Sequence, residues 1–204
     1  NIYNYKRAME ILDSEGDQNE AMNFLQKEVA EHPKNGYAYY WIGSLYEAND
    51  IPIEALEPTN KAIGLLKKDE EYIAFAYRRR ARINQMLGNV REAMNDWSLA
   101  VKANPKDGST YYERGGYYYW QGMYAEADAD FDKICSIEPT NALGYVGKGR
   151  NAIAQENYKG AVELLTYCLK LDPAYSQGYA FRAEAYMKQG MMNECIDRDR
   201  KNVV

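Results

Sequence analysis

Two residue types in this chain keep the same long period. The tyrosines Tyr5, Tyr39, Tyr77, Tyr111, Tyr145 and Tyr179 are separated by 34, 38, 34, 34 and 34 residues. The prolines Pro33, Pro105, Pro139 and Pro173 are separated by 72, 34 and 34 residues, the first interval being one regular and one lengthened period. Both series place the same four-residue insertion before the third repeat. A shared period of this length is the mark of an architecture in which each repeat is one supersecondary unit stacked on its neighbours.

Local chemistry predicts that the unit is a pair of helices. Gly16, Gly88, Gly122 and Gly190 fall where a first helix should end, and glycine is the favoured residue just past a helix terminus. Pro33, Pro105, Pro139 and Pro173 follow the second helix and stop its continuation. Segments such as AMNFLQKEVA and AVELLTYCLKL repeat apolar residues at three- and four-residue steps. No run alternates cleanly enough to argue for strands. The 20 tyrosines, in a chain otherwise rich in Ala, Glu and Lys, point to a repeated packing role.

Composition narrows the function classes. The formal net charge of -5 disfavours general nucleic-acid binding, which needs a basic face. No apolar run approaches the ~18 residues of a membrane span. The chain opens Asn-Ile-Tyr without an initiator Met, which predicts a piece of a longer protein. The compartment stays open: a soluble protein, cytoplasmic or exported with its targeting segment removed. Cys135, Cys168 and Cys195 are odd in number and widely spaced, unlike a disulfide framework.

The chain resembles the tetratricopeptide repeat (TPR) family. Tyr111, Gly115, Tyr118, Gly122, Tyr124, Ala127, Phe131 and Pro139 match the family's consensus within one repeat. The small pair where two helices cross recurs as Gly43/Ala55, Ala81/Ala93, Gly115/Ala127 and Gly149/Ala161. The resemblance covers residues 2–35, 36–69, 74–107, 108–141, 142–175 and an incomplete 176–204, as a single array. It implies an all-α, right-handed α-solenoid of twelve helical segments, the last one cut short, and a protein-binding scaffold or adaptor rather than an enzyme.

Departures from the pattern carry their own expectations. Met9 and Glu28 replace smaller or apolar residues in repeat one and predict looser packing there. Repeat two has Lys67 instead of its terminal proline, and Pro58 lies inside its second helix. Pro58 predicts a kink or late start, and Glu70 to Ile73 predict a longer helix end or loop. The terminal DRDRKNVV lacks a polar capping helix, so either the protein continues or a partner covers that end.

Several chemical signals have plainer explanations. His32, the sole histidine, precedes Pro33 at a helix C-terminus and has no second ligand for a metal. The cysteines occupy packing positions of second helices and read as buried, inert thiols. Asp128, Asp130 and Asp132 imitate a calcium loop, but Lys133 stands where the loop needs glycine, and a solvated acidic helix face is expected. Gly115 and Gly116 match no phosphate loop and read as helix-packing residues. No cofactor or metal is implied.

The resemblance implies that first helices line a concave groove. That face takes Tyr37, Tyr40, Trp41 and Ser44 from repeat two, and Phe75, Arg78, Arg79 and Arg82 from repeat three. Repeat four adds Tyr112, Glu113, Tyr119 and Trp120, and repeat five adds Arg150. The segment AFAYRRRARINQML holds no acidic residue, so a partner across repeats two to four would meet aromatics, positive charge, then aromatics. Arg and aromatics are enriched at binding hot spots, although Arg stems also simply cover apolar surface. The expected partner is a helix or extended peptide, acidic or carboxylate-terminated, with apolar anchors. The TPR subclass that clamps chaperone-tail carboxylates is disfavoured: Lys6 and Arg79 match its pattern, whereas Glu10, Trp41 and Phe75 do not. Two alternatives remain, a substrate-recruiting or regulatory module of a larger enzyme, and single-stranded RNA binding through stacked aromatics.

With no disulfide framework and no ligand cluster, the folded state is expected to need neither bond nor ion. Thermal unfolding followed by circular dichroism should show the same Tm with a chelator or a reductant as without; a large drop with either would refute the assignment.

Overall fold

The computed structural model describes residues 3–190. Among them are eleven helices: α1 (Tyr3–Asp13), α2 (Gln18–Glu31), α3 (Gly36–Ala48), α4 (Pro52–Leu65), α5 (Glu70–Met86), α6 (Val90–Ala103), α7 (Gly108–Trp120), α8 (Tyr124–Ile137), α9 (Ala142–Ala154), α10 (Tyr158–Leu171) and α11 (Ser176–Lys188). No strand occurs among the described residues. The fold is an all-α array of helix-turn-helix repeats, of the α-solenoid class. The expected twelfth helix falls outside the described residues, as does Cys195. The chain divides into two compact units, Asn1–Pro105 with α1 to α6 and Lys106–Val204 with α7 to α11.

Capping explains where the helices begin. The side chains of Asp17, Asn35, Asp69, Asp107, Asn141 and Asn157 accept backbone N–H groups of the helix that follows each. First helices close with a left-handed residue followed by a six-to-one hydrogen bond. Gly88 and Gly122 hold that residue at φ 74° and 73°, and Asn89 N and Met123 N then donate to Asn84 O and Tyr118 O. Where no glycine stands there, Asp50 and Glu156 adopt φ 60° at the residue's usual strain cost. In repeat one the left-handed residue is Glu15, at φ 53°, and not Gly16 as expected. Gly16 instead donates its N–H to Ile11 O, the closing bond of the same motif.

Second helices end as the proline series requires. α2, α6, α8 and α10 each stop two residues before Pro33, Pro105, Pro139 or Pro173. Repeat two holds two features of its own. α4 runs unbroken from Pro52 to Leu65, through Pro58, rather than starting late. Pro52 sits in its first turn, where a missing N–H costs little, whereas Pro58 has no N–H to offer Glu54 O. The insertion extends neither α4 nor its loop. Asp69 Oδ1 accepts Tyr72 N at 3.0 Å, so Glu70 to Ile73 become the opening of a 17-residue α5.

Small residues let the two helices of a repeat close on each other. Ala55, Ala81, Ala93, Ala127 and Ala161 are fully buried. A Cβ at Gly149 would lie 2.5 Å from Leu165, and one at Gly115 2.9 Å from Phe131, so both crossings require glycine. In unit 1, Ala8, Ile11, Ala21, Leu25, Ala38, Ile42 and Leu45 form one core, and Tyr40, Ala62, Ile63, Leu66, Ile73 and Ala76 another. In unit 2 the core is built on Val146, Ala161, Leu165, Cys168 and Ala185. Repeat one is not looser at Glu28, which is fully buried. Its carboxylate accepts Tyr5 N at 3.2 Å and Asn35 Nδ2 at 2.9 Å, tying α1, α2 and the turn before α3 together.

Ion pairs reinforce the crossings. Arg80 Nε and Nη2 donate to Asp96 at 2.8 and 2.6 Å, and Arg114 repeats the fork on Asp130 at 2.8 and 2.7 Å. Of the expected solvated acidic face, Asp132 is exposed and Asp128 partly so, whereas Asp130, 4% exposed, is turned into the crossing. Asp132 accepts Lys148 Nζ at 2.5 Å and Asp128 accepts Gln155 Nε2 at 3.2 Å.

Asp96 is 2% exposed and keeps only a 3.2 Å bond from Asn84 if its arginine is removed. Arg80→Ala should therefore cost about 3 kcal/mol, read as a fall in urea midpoint. A loss below about 1 kcal/mol would show that the pair behaves like a surface salt bridge.

Candidate functional site

Within each unit, the first helices carry the residues of interest. In unit 1, α3 supplies Tyr37, Tyr40 and Trp41, and α5 supplies Tyr72, Phe75, Arg78, Arg79 and Arg82. The rings interlock edge to face: Tyr37–Tyr72 at 4.8 Å, Tyr40–Trp41 at 5.5 Å, Tyr40–Tyr72 at 5.6 Å and Tyr72–Phe75 at 6.0 Å between centroids. Such packing adds to the burial energy of each ring. Tyr40 is buried, whereas Tyr37 is exposed at the rim. Tyr72 was not singled out by the repeat pattern because it lies in the insertion. The Asp69-Glu70-Glu71 start signal could have placed it on a helix.

The arginines of α5 are not free of acidic partners. Glu47, in α3, accepts Arg79 Nη1 at 2.5 Å and approaches Arg82 Nη2 at 2.6 Å. Arg79 also donates to Tyr40 Oη at 2.9 Å and lies over its ring at 4.5 Å. Arg78 lies over Phe75 at 5.4 Å. The side chain of Glu47 is 3% exposed and that of Arg82 is 47% exposed. Arg79 is thus a positioning group within the protein, while Arg82 is shared with solvent. The partner escaped a search confined to the arginines' own segment because it comes from the preceding repeat.

Beside this cluster, Tyr5, Glu28, His32, Asn35, Tyr37 and Tyr72 line a cavity of about 580 Å³. Tyr37 Oη donates to Asp69 Oδ2 at 2.7 Å. That bond raises the Tyr37 pKa, with burial adding to it; the Tyr72 N–H and then the Tyr37 hydroxyl hold Asp69 below the ordinary carboxylate range. Burial is the main cause raising the pKa of Tyr5 and of Tyr72. All three phenols stay protonated at neutral pH.

In unit 2, Arg150 of α9 lies over the Tyr119 ring at 4.3 Å, with Phe181 of α11 at 6.0 Å. No carboxylate among the described residues pairs with it, and its Nε is buried without a hydrogen-bond partner. Trp120 packs against Tyr119 at 5.5 Å yet is 73% exposed. Tyr112 tilts against Phe131 at 6.1 Å. Burial, then Tyr112 beside it, push the Tyr175 pKa up to about 12. Phe181 and Tyr175 belong to this surface and were missed, since they come from the truncated repeat and the turn before it.

The thiols differ between the two cysteines described. Cys168 is buried, donates weakly to Ala142 O at 3.6 Å, and burial pushes its pKa up to about 11. Cys135 is half-buried, and its pKa is also raised, chiefly by burial. Gly116 faces Arg150, whose Nη2 would lie 3.6 Å from a Cβ there. Among the described residues no group of three or more His, Cys, Asp or Glu could hold a metal ion, and no helix is long and apolar enough to cross a membrane.

Comparison with known proteins places the fold. A tetratricopeptide repeat protein from Parabacteroides merdae superimposes with a TM-score of 0.79 at 21% identity, over 97% of this chain and 77% of that one. YrrB, described as a TPR protein with an unusual peptide-binding site, gives a TM-score of 0.66 at 19% identity, over 86% and 88%. In sequence, the Hsp70-Hsp90 organizing protein of Triticum aestivum is 30% identical over 128 residues, 61% of this chain and 22% of that protein. The chain spans less than a third of the length of the curated relatives it matches. No family model matches it.

The Glu47 pairing separates the two arginines. Arg79→Met should destabilise by about 3 kcal/mol, because it leaves a buried carboxylate with only the half-exposed Arg82 as counter-ion, whereas Arg82→Ala should cost under about 1 kcal/mol. Equal losses in urea unfolding would contradict the assignment.

With its 34-residue helical pairs, small crossing residues and TPR structural neighbours, the chain has the fold of tetratricopeptide-repeat proteins.

Proposed function

We propose that this chain is a protein-interaction scaffold whose first-helix faces hold a segment of a partner protein, and that Arg150 is the residue reading an acidic group on it. The carrying observation is the state of that guanidinium. It lies over the Tyr119 ring, has no carboxylate partner among the described residues, and that ring packs in turn against Trp120, which is 73% exposed. Most large aromatics of this chain are sheltered, and an exposed Trp next to an unpaired Arg pairs an apolar anchor with a charged one. A carboxylate meeting Arg150 would form a charge-assisted bond, while burial of Trp120 and Tyr112 would supply most of the affinity.

The face of unit 1 contributes differently. Tyr37, Tyr40, Trp41, Phe75, Arg78, Arg79 and Arg82 form a second aromatic surface, with Arg82 its half-exposed cation. Charge there is already balanced in part by Glu47, so it selects an acidic segment less strongly than Arg150 does. The relatives include an Hsp70-Hsp90 organizing protein. Glu10, Trp41 and Phe75 break the chaperone-tail pattern, and Arg79 is engaged by Glu47, which disfavours a clamp of that kind here.

The test is calorimetry of the full chain against a peptide library with acidic and aromatic positions, followed by variants. Arg150→Ala should weaken the best binder about tenfold and flatten its salt dependence, and Trp120→Ala should cost about 2 kcal/mol. Wild-type affinity in both variants at low salt would remove unit 2 from the binding surface.

A further inference from the structure

We propose that unit 1 carries a receptor site for a basic side chain of a partner segment, in the cavity walled by Tyr5, Tyr37 and Tyr72. This site is independent of the Arg150 surface and of opposite charge preference.

The cavity joins two features that seldom meet by packing alone. Its walls are three tyrosine rings, with Tyr37 and Tyr72 set at 86° and forming a corner. Its remaining lining includes Glu28, whose carboxylate is fully buried behind the cavity surface. No lysine or arginine among the described residues pairs with Glu28. Its hydrogen bonds come from uncharged donors, the Tyr5 N–H and the Asn35 amide. His32 Nδ1 lies 3.2 Å from Glu28 Oε1, off the line a hydrogen bond requires. A second carboxylate, Asp69, is attached to the rim by the Tyr37 hydroxyl. Lys34 and Lys68 line a separate hollow that shares only Asn35 and Tyr37 with this cavity.

Three classes of occupant can be compared on this lining. An acidic group would be repelled by Glu28 and Asp69, which no lysine or arginine offsets, His32 being a cation only when protonated. A purely apolar group would fill the ring corner but bring no positive charge toward the buried Glu28 and the rim Asp69. A basic side chain uses the whole lining: its methylene stem packs on the rings, and its cation sits over π faces with carboxylates close by. The neutral phenol rings present electron-rich faces to it.

The probes are Nα-acetyl-lysine methylamide, its norleucine analogue and its glutamate analogue, titrated into the full chain with tyrosine ring resonances followed by NMR. The lysine probe should shift the Tyr5, Tyr37 and Tyr72 resonances saturably and bind about tenfold tighter than norleucine. Glu28→Gln should erase most of that preference while leaving norleucine binding in place. Should that variant fail to fold, Asp69→Asn, which still caps α5, should lower lysine affinity several-fold with little effect on norleucine. Equal binding of lysine and norleucine, tighter binding of glutamate, or no saturable shift would each overturn the proposal. The Arg150→Ala variant should bind the lysine probe as wild type does, so failure here is distinct from failure of the acidic-segment reading.

Discussion

Close approach of the two helices within a repeat is the constraint on which the rest of this structure depends. Ala81 against Ala93, Gly115 against Ala127 and Gly149 against Ala161 bring backbones near enough for Trp97, Phe131 and Leu165 to be wholly buried. A single helix pair cannot bury both of its apolar stripes, so each repeat needs its neighbour. Within unit 2, Gly147 continues this logic between repeats, since a Cβ there would lie 2.5 Å from Phe131. Small residues thus set the spacing, and the first helices' outward positions are left for aromatic and charged side chains.

Buried charge is the second organising element. Asp96, Asp130, Glu28 and Glu47 are all at most 6% exposed, and each is met by donors from another segment. Buried pairs of this kind add little net stability compared with apolar packing, but breaking one is costly. They therefore act against misregistered helix pairs, in which a carboxylate would be stranded. The cations Arg80, Arg114, Lys148 and Arg182 show how the device shifts along the chain. The first two fork onto an aspartate of their own repeat, while Lys148 and Arg182 reach back to Asp132 and Thr166 of the repeat before. Leu164 occupies the position that Asp96 and Asp130 hold, so in repeat five the cation has no carboxylate within its own pair.

The period carried the fold because sterics make it strict. Repeats beginning at 36, 108, 142 and 176 coincide with the starts of α3, α7, α9 and α11. Misplacement occurred where a local rule was overruled. Pro58 stands in an unbroken helix because α4 is held along its buried face by Ala55, Thr59 and Ala62. Thr59 Oγ1 also donates to Ala55 O beside it. The insertion at 70–73 became helix because Asp69 offered a cap. The site was harder to read. Ring partners from one repeat are visible in the period, but Glu47, thirty-two residues before Arg79, is visible only once α3 and α5 are side by side. The 34-residue series of Arg80, Arg114, Lys148 and Arg182, with Asp96 and Asp130 also 34 apart, was a readable signal of structural pairing. It would have warned that cations in these repeats are often already spoken for.

That warning bears on how charge should be assigned in any helical-repeat surface. An arginine's sequence context says whether a carboxylate is near in the chain, and not whether one faces it from the adjacent helix. Arg79 and Arg150 make the contrast within one protein. Both lie over a tyrosine ring, at 4.5 and 4.3 Å, and both have a buried Nε without a partner. Only Arg79 meets a buried carboxylate, and an incoming anion there would have to compete with Glu47 for the same N–H groups. At Arg150 no such competitor exists among the described residues, so a ligand carboxylate would gain its charge-assisted bond without breaking another. The same reasoning inverts at Glu28, where the charge without a strong counter-ion is negative. On the binding surfaces proposed above, selectivity would follow from which buried charge the fold leaves unmatched, more than from how many charged residues the surface displays.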